Sequence, residues 1–477
     1  MTYETVIGLE VHVELSTASK IFCGCPVTYG QEPNTKCCPV CTGLPGALPV
    51  LNKNVVEYAL RTCLAVNCEI SRITRFDRKN YFYPDLPKAY QISQLYQPIG
   101  RNGWLDIEVN GTKRRVRIHE LHMEEDAGKL MHDPWEDQTL VDYNRCGVPL
   151  LEIVSEPDLR SAEEALTYLE QLRGILQFIG VSDCRMEEGS LRADVNVSLR
   201  PAGSNEFGTR TEMKNMNSFK AIGRAIEKES LRQIELLNEG GRVIQETRRW
   251  DENKDASFPM RSKEDAHDYR YFPDPDLTAV HVSEDWIDQV RRELPELPAD
   301  RRKRYIGELG LSDYEAQIVT GHPVISGLFE DVYDLTKLAK DTASWIMGEY
   351  LQLLKDKNCG PENLSLSAED LAAVVSMTAE GKVNRVTARK VLVAVIEDGV
   401  KPQTYIEQHG LAMVSDASLL EDTVRQVLAE NPRSIEDYKN GKKKAAGFLV
   451  GQAMRALGGK ADPQLLGSII NRQLSEA

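Results

Sequence analysis

The sequence predicts an α+β fold in which an antiparallel sheet of polar-faced strands comes first and an all-α region follows. Residues 5–15 and 191–200 alternate apolar and polar side chains, as strands with one buried face do. Helical segments interrupt the strands without the regular alternation that builds a parallel sheet. After Pro298 the apolar pattern becomes helical and stays so to the end of the chain.

The first predicted strand places three polar side chains on one face. Glu10, His12 and Glu14 alternate with apolar residues in 5–15, so all three project away from the buried side. Residues 191–200 repeat the pattern, with Arg192 and Asp194 on the polar face. Residues 209–214 form the next predicted strand and present Arg210, Glu212 and Lys214 on one side. The polar loop 201–208 between them fits a hairpin connection.

Two helices are predicted among these strands, and the helical region divides further. One begins at Ser161, with Glu164 completing a capping box, and ends at Gly180; the other runs from Ser218 towards Gly240. A third clear helix is 343–354. Because the pattern changes near Pro295 and Pro298, and again around 400–415, we expect domains at 1–294, 295–405 and 406–477.

Composition limits the classes of function. The 477 residues carry a net charge of −15, which argues against a protein that binds nucleic acid with its whole surface. A local basic patch lies in 439–477, although a solvated helix face explains it equally well. The first residues lack a signal-peptide pattern and no apolar run is long enough to span a membrane, so we expect a cytoplasmic protein with no membrane partner.

Cysteine spacing predicts a structural zinc site in 23–41. Five of the ten cysteines lie there, and the proposed ligands are Cys23, Cys25, Cys38 and Cys41. Four thiolates complete a tetrahedral Zn²⁺ site and fold a short segment that has no core of its own. Cys37 competes with Cys38 for one ligand position, but the spacing of Cys38 fits better. The alternative is a set of four free buried cysteines.

Acidic residues on several predicted strands suggest a second metal site. Glu10 and His12 share one strand face, Glu124, Glu125 and Asp126 follow the strand-like stretch 115–123, and Asp194 lies on a third strand. Carboxylates that converge from strands can hold Mg²⁺ against nucleotide phosphates, and the histidine also admits Mn²⁺. A solvated sheet face is the alternative for each residue. Residues 77–85 combine aromatic and basic side chains, which suits a pocket wall or a core.

Common nucleotide and hydrolase motifs are absent from the sequence. It has no Gly-x-x-x-x-Gly-Lys-Ser/Thr phosphate loop, no Gly-x-Gly-x-x-Gly after a strand and no Gly-x-Ser-x-Gly elbow. Any ATP site must therefore use metal and carboxylates on a sheet face.

Many unusual strings, in order along the chain, resemble the B-subunit family of the bacterial heterotrimeric aspartyl/glutamyl-tRNA amidotransferase. They include Ile-Gly-Leu-Glu-Val-His-Val-Glu-Leu at 7–15 and Gly-Leu-Pro-Gly-Ala-Leu-Pro at 43–49. Further matching strings lie at 77–85, 124–129, 144–150, 186–192, 212–215, 269–273 and 441–451. The resemblance spans essentially the whole chain. Cys37 departs from the aliphatic residue expected there, which leaves the four-cysteine pattern intact.

The resemblance implies a fold and a reaction. It implies a glutamine-synthetase-like cradle over 1–294, a helical domain over 295–405 and a tRNA-binding tail over 406–477. It implies that ATP phosphorylates the side-chain carboxylate of Glu-tRNA(Gln) or Asp-tRNA(Asn), and that ammonia then gives the amide. Implied partners are an amidase A subunit that releases the ammonia, a small C subunit, the tRNAs and an aminoacyl-tRNA synthetase. Since some relatives lack the zinc knuckle, it cannot be the reaction centre.

The resemblance also implies roles for individual residues. Glu10, His12, Glu124 and Glu125 would hold Mg²⁺, with Asp194 as a further candidate. Four basic residues would neutralise phosphate or carboxylate charge, namely Lys79, Arg192, Arg210 and Lys214. Of these, Lys79, Arg192 and Lys214 would also bind the nucleotide.

Two other functions compete with this one. The chain could be a non-catalytic scaffold that docks tRNA and binds neither metal nor nucleotide. It could also act alone on a small carboxylate, as a zinc-stabilised relative of glutamine synthetase, but the long helical tail and the lack of an ammonia-generating site argue against this. The sequence does not choose between Glu-tRNA and Asp-tRNA.

Overall fold

The structure is a computed structural model, and it describes residues 2–133, 136–260, 269–413, 417–439, 442 and 444–476. The chain divides into two compact units, Met1–Pro298 and Ala299–Ala477.

The first unit holds the strands and four helices of the described residues. The strands are β1 (Tyr3–Glu14), β2 (Glu69–Ile70), β3 (Ile73–Thr74), β4 (Asp77–Asn80), β5 (Tyr90–Ser93), β6 (Gly100–Val109), β7 (Thr112–Glu125), β8 (Lys129–His132), β9 (Thr139–Asp142), β10 (Pro149–Ser155), β11 (Leu191–Pro201), β12 (Thr211–Lys214), β13 (Glu246–Asp251), β14 (Ala256–Pro259), β15 (Phe272–Pro273) and β16 (Val280–His281). The helices are α1 (Lys53–Ala65), α2 (Ala162–Phe178), α3 (Phe219–Asn238) and α4 (Glu284–Glu293).

A nine-stranded sheet organises this unit. Its order is β14-β13-β12-β11-β1-β10-β7-β6-β2, and its strand pairs are antiparallel except for β12 and β13, which run parallel. The predicted polar-faced strands are therefore present as β1, β11 and β12. The third is shorter than predicted, because Arg210 lies just before it in an exposed loop. A separate three-stranded sheet has the order β15-β4-β5.

One face of the large sheet is covered by the helices. Val11 and Val13 of β1 and Ile153 of β10 are fully buried there, and they share a hydrophobic core with α1, α2 and α3. Removing this apolar area from water is the main stabilising term. Since β-strand side chains alternate, burying one face leaves the other to polar residues.

Helix α2 begins at the predicted residue but with half of the predicted cap. The Ser161 hydroxyl accepts the Glu164 N–H, as an N-cap should. The Glu164 carboxylate, however, accepts the Arg160 N–H at 2.7 Å and pairs with Arg114 at 2.9 Å. The prediction of a complete capping box is therefore wrong, because a neighbouring strand supplies Glu164 with a stronger, charged partner.

The second unit is helical throughout its described residues. Its α-helices are α5 (Pro298–Leu309), α6 (Asp313–Val319), α7 (Pro323–Thr336), α8 (Ala339–Trp345), α9 (Leu351–Lys357), α10 (Ala368–Ala379), α11 (Arg385–Asp398), α12 (Pro402–Gln408), α13 (Ala417–Glu430), α14 (Pro432–Lys439), α15 (Lys444–Ala456) and α16 (Pro463–Glu476). A π-helical turn, Ile346–Tyr350, joins α8 to α9, so the predicted helix 343–354 is one continuous helical stretch. Two separate cores form, one from Tyr305 to Ile406 and one from Leu420 to Leu474.

Several residues of the predicted basic patch are exposed on this unit. Lys442, Lys444 and Arg455 are exposed, although Lys442 is paired with Asp437 at 2.9 Å. Lys443 and the side chain of Lys439 lie outside the described residues. In the described parts of the chain, no helix combines the length and the apolarity that a membrane span requires.

Candidate active site

The polar face of the large sheet concentrates titratable side chains on four adjacent strands. In the register, His12 of β1 is opposite Arg192 of β11 on one side and Glu152 of β10 on the other. Glu152 is in turn opposite His122 of β7. Opposed residues on one face of an antiparallel pair have their Cβ atoms about 4.5–5.5 Å apart. The register alone therefore brings these side chains into contact.

The first cluster on this face consists of His12, Glu124 and Glu152. Their ligand atoms all lie within 4.8 Å of one another. His12 Nε2 is 3.4 Å from Glu152 Oε2 and 3.7 Å from Glu124 Oε1. A second histidine borders the cluster, since His122 Nε2 lies 2.9 Å from Glu152 Oε2. An imidazole and two carboxylates with this spacing can hold a divalent cation. The carboxylates suit Mg²⁺, and the imidazole also admits Mn²⁺ or Zn²⁺.

Charge is unevenly distributed in this cluster. Burial and the neighbouring Glu152 raise the pKa of Glu124, even though His12, His122 and Lys79 oppose the shift. Burial acts on Glu152 in the same direction, but His122 and His12 outweigh it and hold its pKa well below the ordinary value. Glu152 therefore carries negative charge more readily than Glu124 does in this cluster.

The second cluster consists of Glu10, Asp194 and Glu212 from β1, β11 and β12. Their carboxylate oxygens also lie within 4.8 Å of one another. Lys214 Nζ bridges two of them, at 2.7 Å from Asp194 Oδ2 and 2.9 Å from Glu212 Oε1. Burial, with Glu152 next in effect, raises the pKa of Glu10. Three carboxylates offer oxygen ligands of the kind that Mg²⁺ prefers.

Lys79 approaches these carboxylates from the three-stranded sheet. It lies on β4, with its Nζ 5.1 Å from the ring centre of Tyr269 and 6.0 Å from that of Tyr81. Burial would lower the pKa of Lys79, but Glu124, Tyr271 and Glu152 outweigh it and raise the pKa. Lys79 is therefore a cation held beside the first cluster by an aromatic enclosure.

Arg192 and Arg210 occupy different environments. Arg192 Nη2 donates to Asp126 Oδ2 at 2.7 Å, and Arg145 Nε lies 3.4 Å from the same oxygen. The Arg192 Nε is buried and has no hydrogen-bond partner among the described residues. Arg210 is exposed in the loop before β12, where it helps to lower the pKa of Glu212 against the effect of burial.

The structure does not bring Glu125 together with Glu10, His12 and Glu124, so the grouping expected from the sequence needs correction. Glu125 follows Glu124 on the same strand, and successive residues point to opposite faces. Its carboxylate accepts the Ile92 N–H at 2.9 Å and forms a close ion pair with Lys88. The other three residues are divided between the two clusters.

The four proposed zinc ligands converge on one point. The Sγ atoms of Cys23, Cys25, Cys38 and Cys41 lie within 4.8 Å of one another, and those of Cys38 and Cys41 are 3.9 Å apart. Zn–S bonds of about 2.3 Å in a tetrahedron put the sulfurs about 3.8 Å apart, so this donor set fits Zn²⁺. Cys37 lies outside the group, with its thiol 3.4 Å from the Asn34 carbonyl oxygen.

A cavity of about 210 Å³ lies between the cysteine loops and the sheet. Cys23 and Cys41 line one side, and the 43–49 loop borders it. Lys88 and Glu125 line the other side. Glu125 therefore faces this cavity, on the opposite side of the sheet from both carboxylate clusters.

Sequence reasoning missed Glu152 and His122, which complete the first cluster. Glu212 was expected on a strand face and Asp126 among the acidic residues, but it was not predicted that Glu212 completes the second cluster or that Asp126 holds Arg192. A signal for Glu152 existed, since it is the one charged residue in the apolar run 148–154. Tyr269 and Tyr271 carried no comparable signal, because they are about 190 positions from Lys79 in the chain.

Comparison with known proteins now bears on the identity of this site. Residues 5–288 match the family model for the GatB/GatE catalytic domain, and residues 327–474 match the model for the GatB domain. The chain is 58% identical over 475 residues to a protein of Lachnoclostridium phytofermentans, covering 100% of this chain and 99% of the relative. It is 54% identical over 479 residues to a protein of Caldicellulosiruptor saccharolyticus, covering all of both. Both relatives are named as the B subunit of an aspartyl/glutamyl-tRNA(Asn/Gln) amidotransferase, and the chain belongs to this family.

Proposed function

We propose that this chain is the component that activates the side-chain carboxylate of Glu-tRNA(Gln) or Asp-tRNA(Asn) with ATP and transfers ammonia to it. The observation that supports this best is the pair of carboxylate clusters on one sheet face, each with ligand atoms within 4.8 Å of one another. The names of the relatives supply the substrates and the amide product.

The chemistry explains why this face is rich in charge. A carboxylate is a poor acyl donor because oxide would have to leave, whereas an acyl phosphate loses phosphate when ammonia attacks. Phosphoryl transfer spreads negative charge over several oxygens. Bound Mg²⁺ would supply Lewis-acid stabilisation of that charge. The sets His12, Glu124 and Glu152, and Glu10, Asp194 and Glu212, would hold it.

The basic residues would bind and orient the anionic groups. Lys79 lies beside Glu124 and Glu152, so it can pair with a phosphate or with the substrate carboxylate there. Arg192 carries one unused buried donor and is held by Asp126. Lys214 bridges Asp194 and Glu212, so it can move to a phosphate when a metal ion takes its place.

The test is an amidation assay of the complete enzyme. We propose that an amidase subunit and a small third subunit complete the assembly, and that ammonia reaches this chain through a path shielded from water. The assay supplies ATP, Mg²⁺, glutamine and, separately, Glu-tRNA(Gln) and Asp-tRNA(Asn). Glu152→Gln and Asp194→Asn are expected to lower amidated product by about 10–100-fold, the range for disturbed metal sites, while glutamine hydrolysis continues.

A matched control and the competing function decide the interpretation. Glu108→Gln removes an exposed carboxylate of β6 that is only loosely paired with Lys113, at 3.8 Å, and should amidate normally. A non-catalytic docking scaffold predicts normal amidation in all three variants. That outcome, with folded variants, would refute a catalytic role for this face and leave tRNA docking as the function.

We further propose that the helical tail contacts the tRNA through its basic residues. Lys444 and Arg455 are exposed at the start and end of α15. The double change Lys444→Glu and Arg455→Glu should weaken tRNA binding and flatten its salt dependence, because phosphate contacts release counterions. Lys390→Glu reverses an exposed charge on α11 and serves as the control. Unchanged tRNA affinity in the double variant would contradict this part.

A further inference from the structure

A completely buried lysine lies beside the cysteine cluster. Lys20 is 0% exposed, and its Nζ lies 3.6 Å from Cys41 Sγ. Among the described residues, Lys20 forms no ion pair with an Asp or Glu carboxylate. A buried ammonium needs a nearby negative charge, because leaving it unpaired away from water is strongly unfavourable. The cysteine cluster is the group positioned to supply that charge.

The ammonium of Lys20 favours negative charge on the cysteine cluster beside it. Four neutral thiols would leave the Lys20 ammonium without compensation. Zn²⁺ bound by four thiolates carries a formal double negative charge, and the ammonium of Lys20 offsets half of it. The Cys38 N–H also donates to Cys41 Sγ at 3.1 Å, so Cys41 receives two donors suited to a thiolate.

We infer that Lys20 is the buried counter-charge of a four-cysteine zinc site, and the backbone around Lys20 links this site to the active face. The inference rests on the zinc binding expected of Cys23, Cys25, Cys38 and Cys41. It extends that expectation to a residue outside the ligand set.

The backbone joins the zinc site to the active face in a few steps. The Lys20 N–H donates to the Cys25 carbonyl at 2.9 Å, and the Ile21 N–H donates to the Gly147 carbonyl at 3.0 Å. The Gly147 N–H donates to the Asp126 carbonyl at 3.0 Å. The Asp126 carboxylate holds Arg192 at 2.7 Å. Movement of the cysteine loops would therefore reach Arg192 through one short chain of hydrogen bonds.

Packing at the junction is tight. Gly147 has a φ of +78°, and a Cβ added there would lie 3.3 Å from Cys41 Cβ and 3.6 Å from Lys20 Cδ. This backbone conformation and this close approach both favour glycine. The zinc site, Lys20 and the loop of Gly147 are thus packed as one unit.

The first experiment measures how firmly zinc is held by the full chain. Lys20→Met keeps the length of the side chain and removes its charge, and Lys129→Met changes an exposed lysine as the control. Zinc per chain is measured after incubation with increasing chelator. We expect Lys20→Met to lose zinc at about 10–100-fold lower chelator concentration than the wild type, the range for changes around a ligand set. Folded Lys20→Met that retains zinc like the wild type overturns the inference.

A second experiment uses the unaltered chain, so it is decisive even if Lys20→Met does not fold. Acetylation of Lys20 by an amine-reactive acetylating reagent is followed by mass spectrometry, with zinc bound and after zinc removal. We expect protection with zinc and reaction without it, while Lys129 reacts in both states. Equal protection of Lys20 in both states, or a purified wild type that binds no zinc, overturns the inference.

These outcomes are separable from the proposed catalytic function. Zinc retention and acetylation are measured without tRNA, ATP or partner subunits. A wild type that amidates but binds no zinc refutes the role of Lys20 and leaves the reaction assignment intact. Loss of amidation in Glu152→Gln, with zinc retained, concerns the reaction alone.

Discussion

Glu229 offers the sharpest test of how the polar face is supported from behind. It lies on α3 and is 1% exposed. Its carboxylate accepts the Thr211 hydroxyl at 2.7 Å, the Gln233 amide at 2.8 Å and the Arg232 guanidinium at 2.6 and 2.8 Å. Arg248 Nε lies 3.5 Å away. The carboxylate therefore ties α3 to β12 and β13, close to Glu212 and Lys214 of β12.

The expected cost of removing this carboxylate follows from what it leaves behind. Glu229→Ala removes the buried partner of Arg232 and one of the two acidic partners of Arg248, which keeps its ion pair with Glu246. Losing hydrogen bonds to charged groups costs about 1.5–3 kcal/mol. Glu229→Gln retains hydrogen-bonding atoms but loses the charge, so we expect about half of that loss. Glu227→Ala, on the exposed side of the same helix, should change the unfolding free energy by less than about 0.5 kcal/mol.

Urea unfolding followed by far-ultraviolet circular dichroism measures these differences. A loss below about 1 kcal/mol in Glu229→Ala, with an unchanged slope, would show that the network is dispensable and refute the reasoning. The pH dependence adds a second readout. Burial would raise the pKa of Glu229, but its bonds to Arg232, Gln233 and Thr211 lower it. Its stabilisation is therefore present above the ordinary carboxyl pKa and is lost as pH falls through the lowered value. Below about pH 4.5, the wild type should lose the stabilisation that the Glu229 carboxylate provides. Glu229→Gln lacks this stabilisation at every pH.

Three further predictions concern metal binding, the core and a helix cap. Lys214→Met removes the cation between Asp194 and Glu212, so Mn²⁺ should bind more tightly in calorimetry while amidation falls; weaker binding would contradict the competition between lysine and metal. Leu172→Ala empties a site that is 1% exposed on α2 and should cost about 2–5 kcal/mol in urea unfolding; a smaller loss would mean that the core can collapse around the gap. Ser161→Ala removes the hydroxyl that accepts the Glu164 N–H and should cost about 1 kcal/mol, so an unchanged unfolding midpoint would show that this cap is replaceable.

The alternation of apolar and polar residues predicted the strands of the site, but the topology of the sheet decides which strands lie side by side. Alternation alone placed Glu10 and His12 on one face of β1, and the structure has them there. The order of the large sheet then inserts β10 between β1 and β7, which brings Glu152 beside His12. That pairing joins residues 140 positions apart, and no local pattern encodes it. Cysteine spacing predicted the convergence of Cys23, Cys25, Cys38 and Cys41, because a tetrahedral metal site brings its four ligands to one point whatever the surrounding fold.

The separation of Glu124 from Glu125 shows how one strand can serve two sites. Glu124 belongs to the first carboxylate cluster, while Glu125 pairs with Lys88 and lines the cavity beside the cysteine loops. Both lie at the end of β7 that pairs with β10 and are adjacent in the chain, so neither can move far without the other. Amidation by Glu125→Ala alone therefore does not report on the metal site, because its loss would also follow from an open cavity or a free Lys88. Comparing Glu124→Gln, Glu125→Gln and the double variant resolves this. Independent sites predict that the two losses multiply, whereas a single shared site predicts that the double variant is no worse than the more damaging single one.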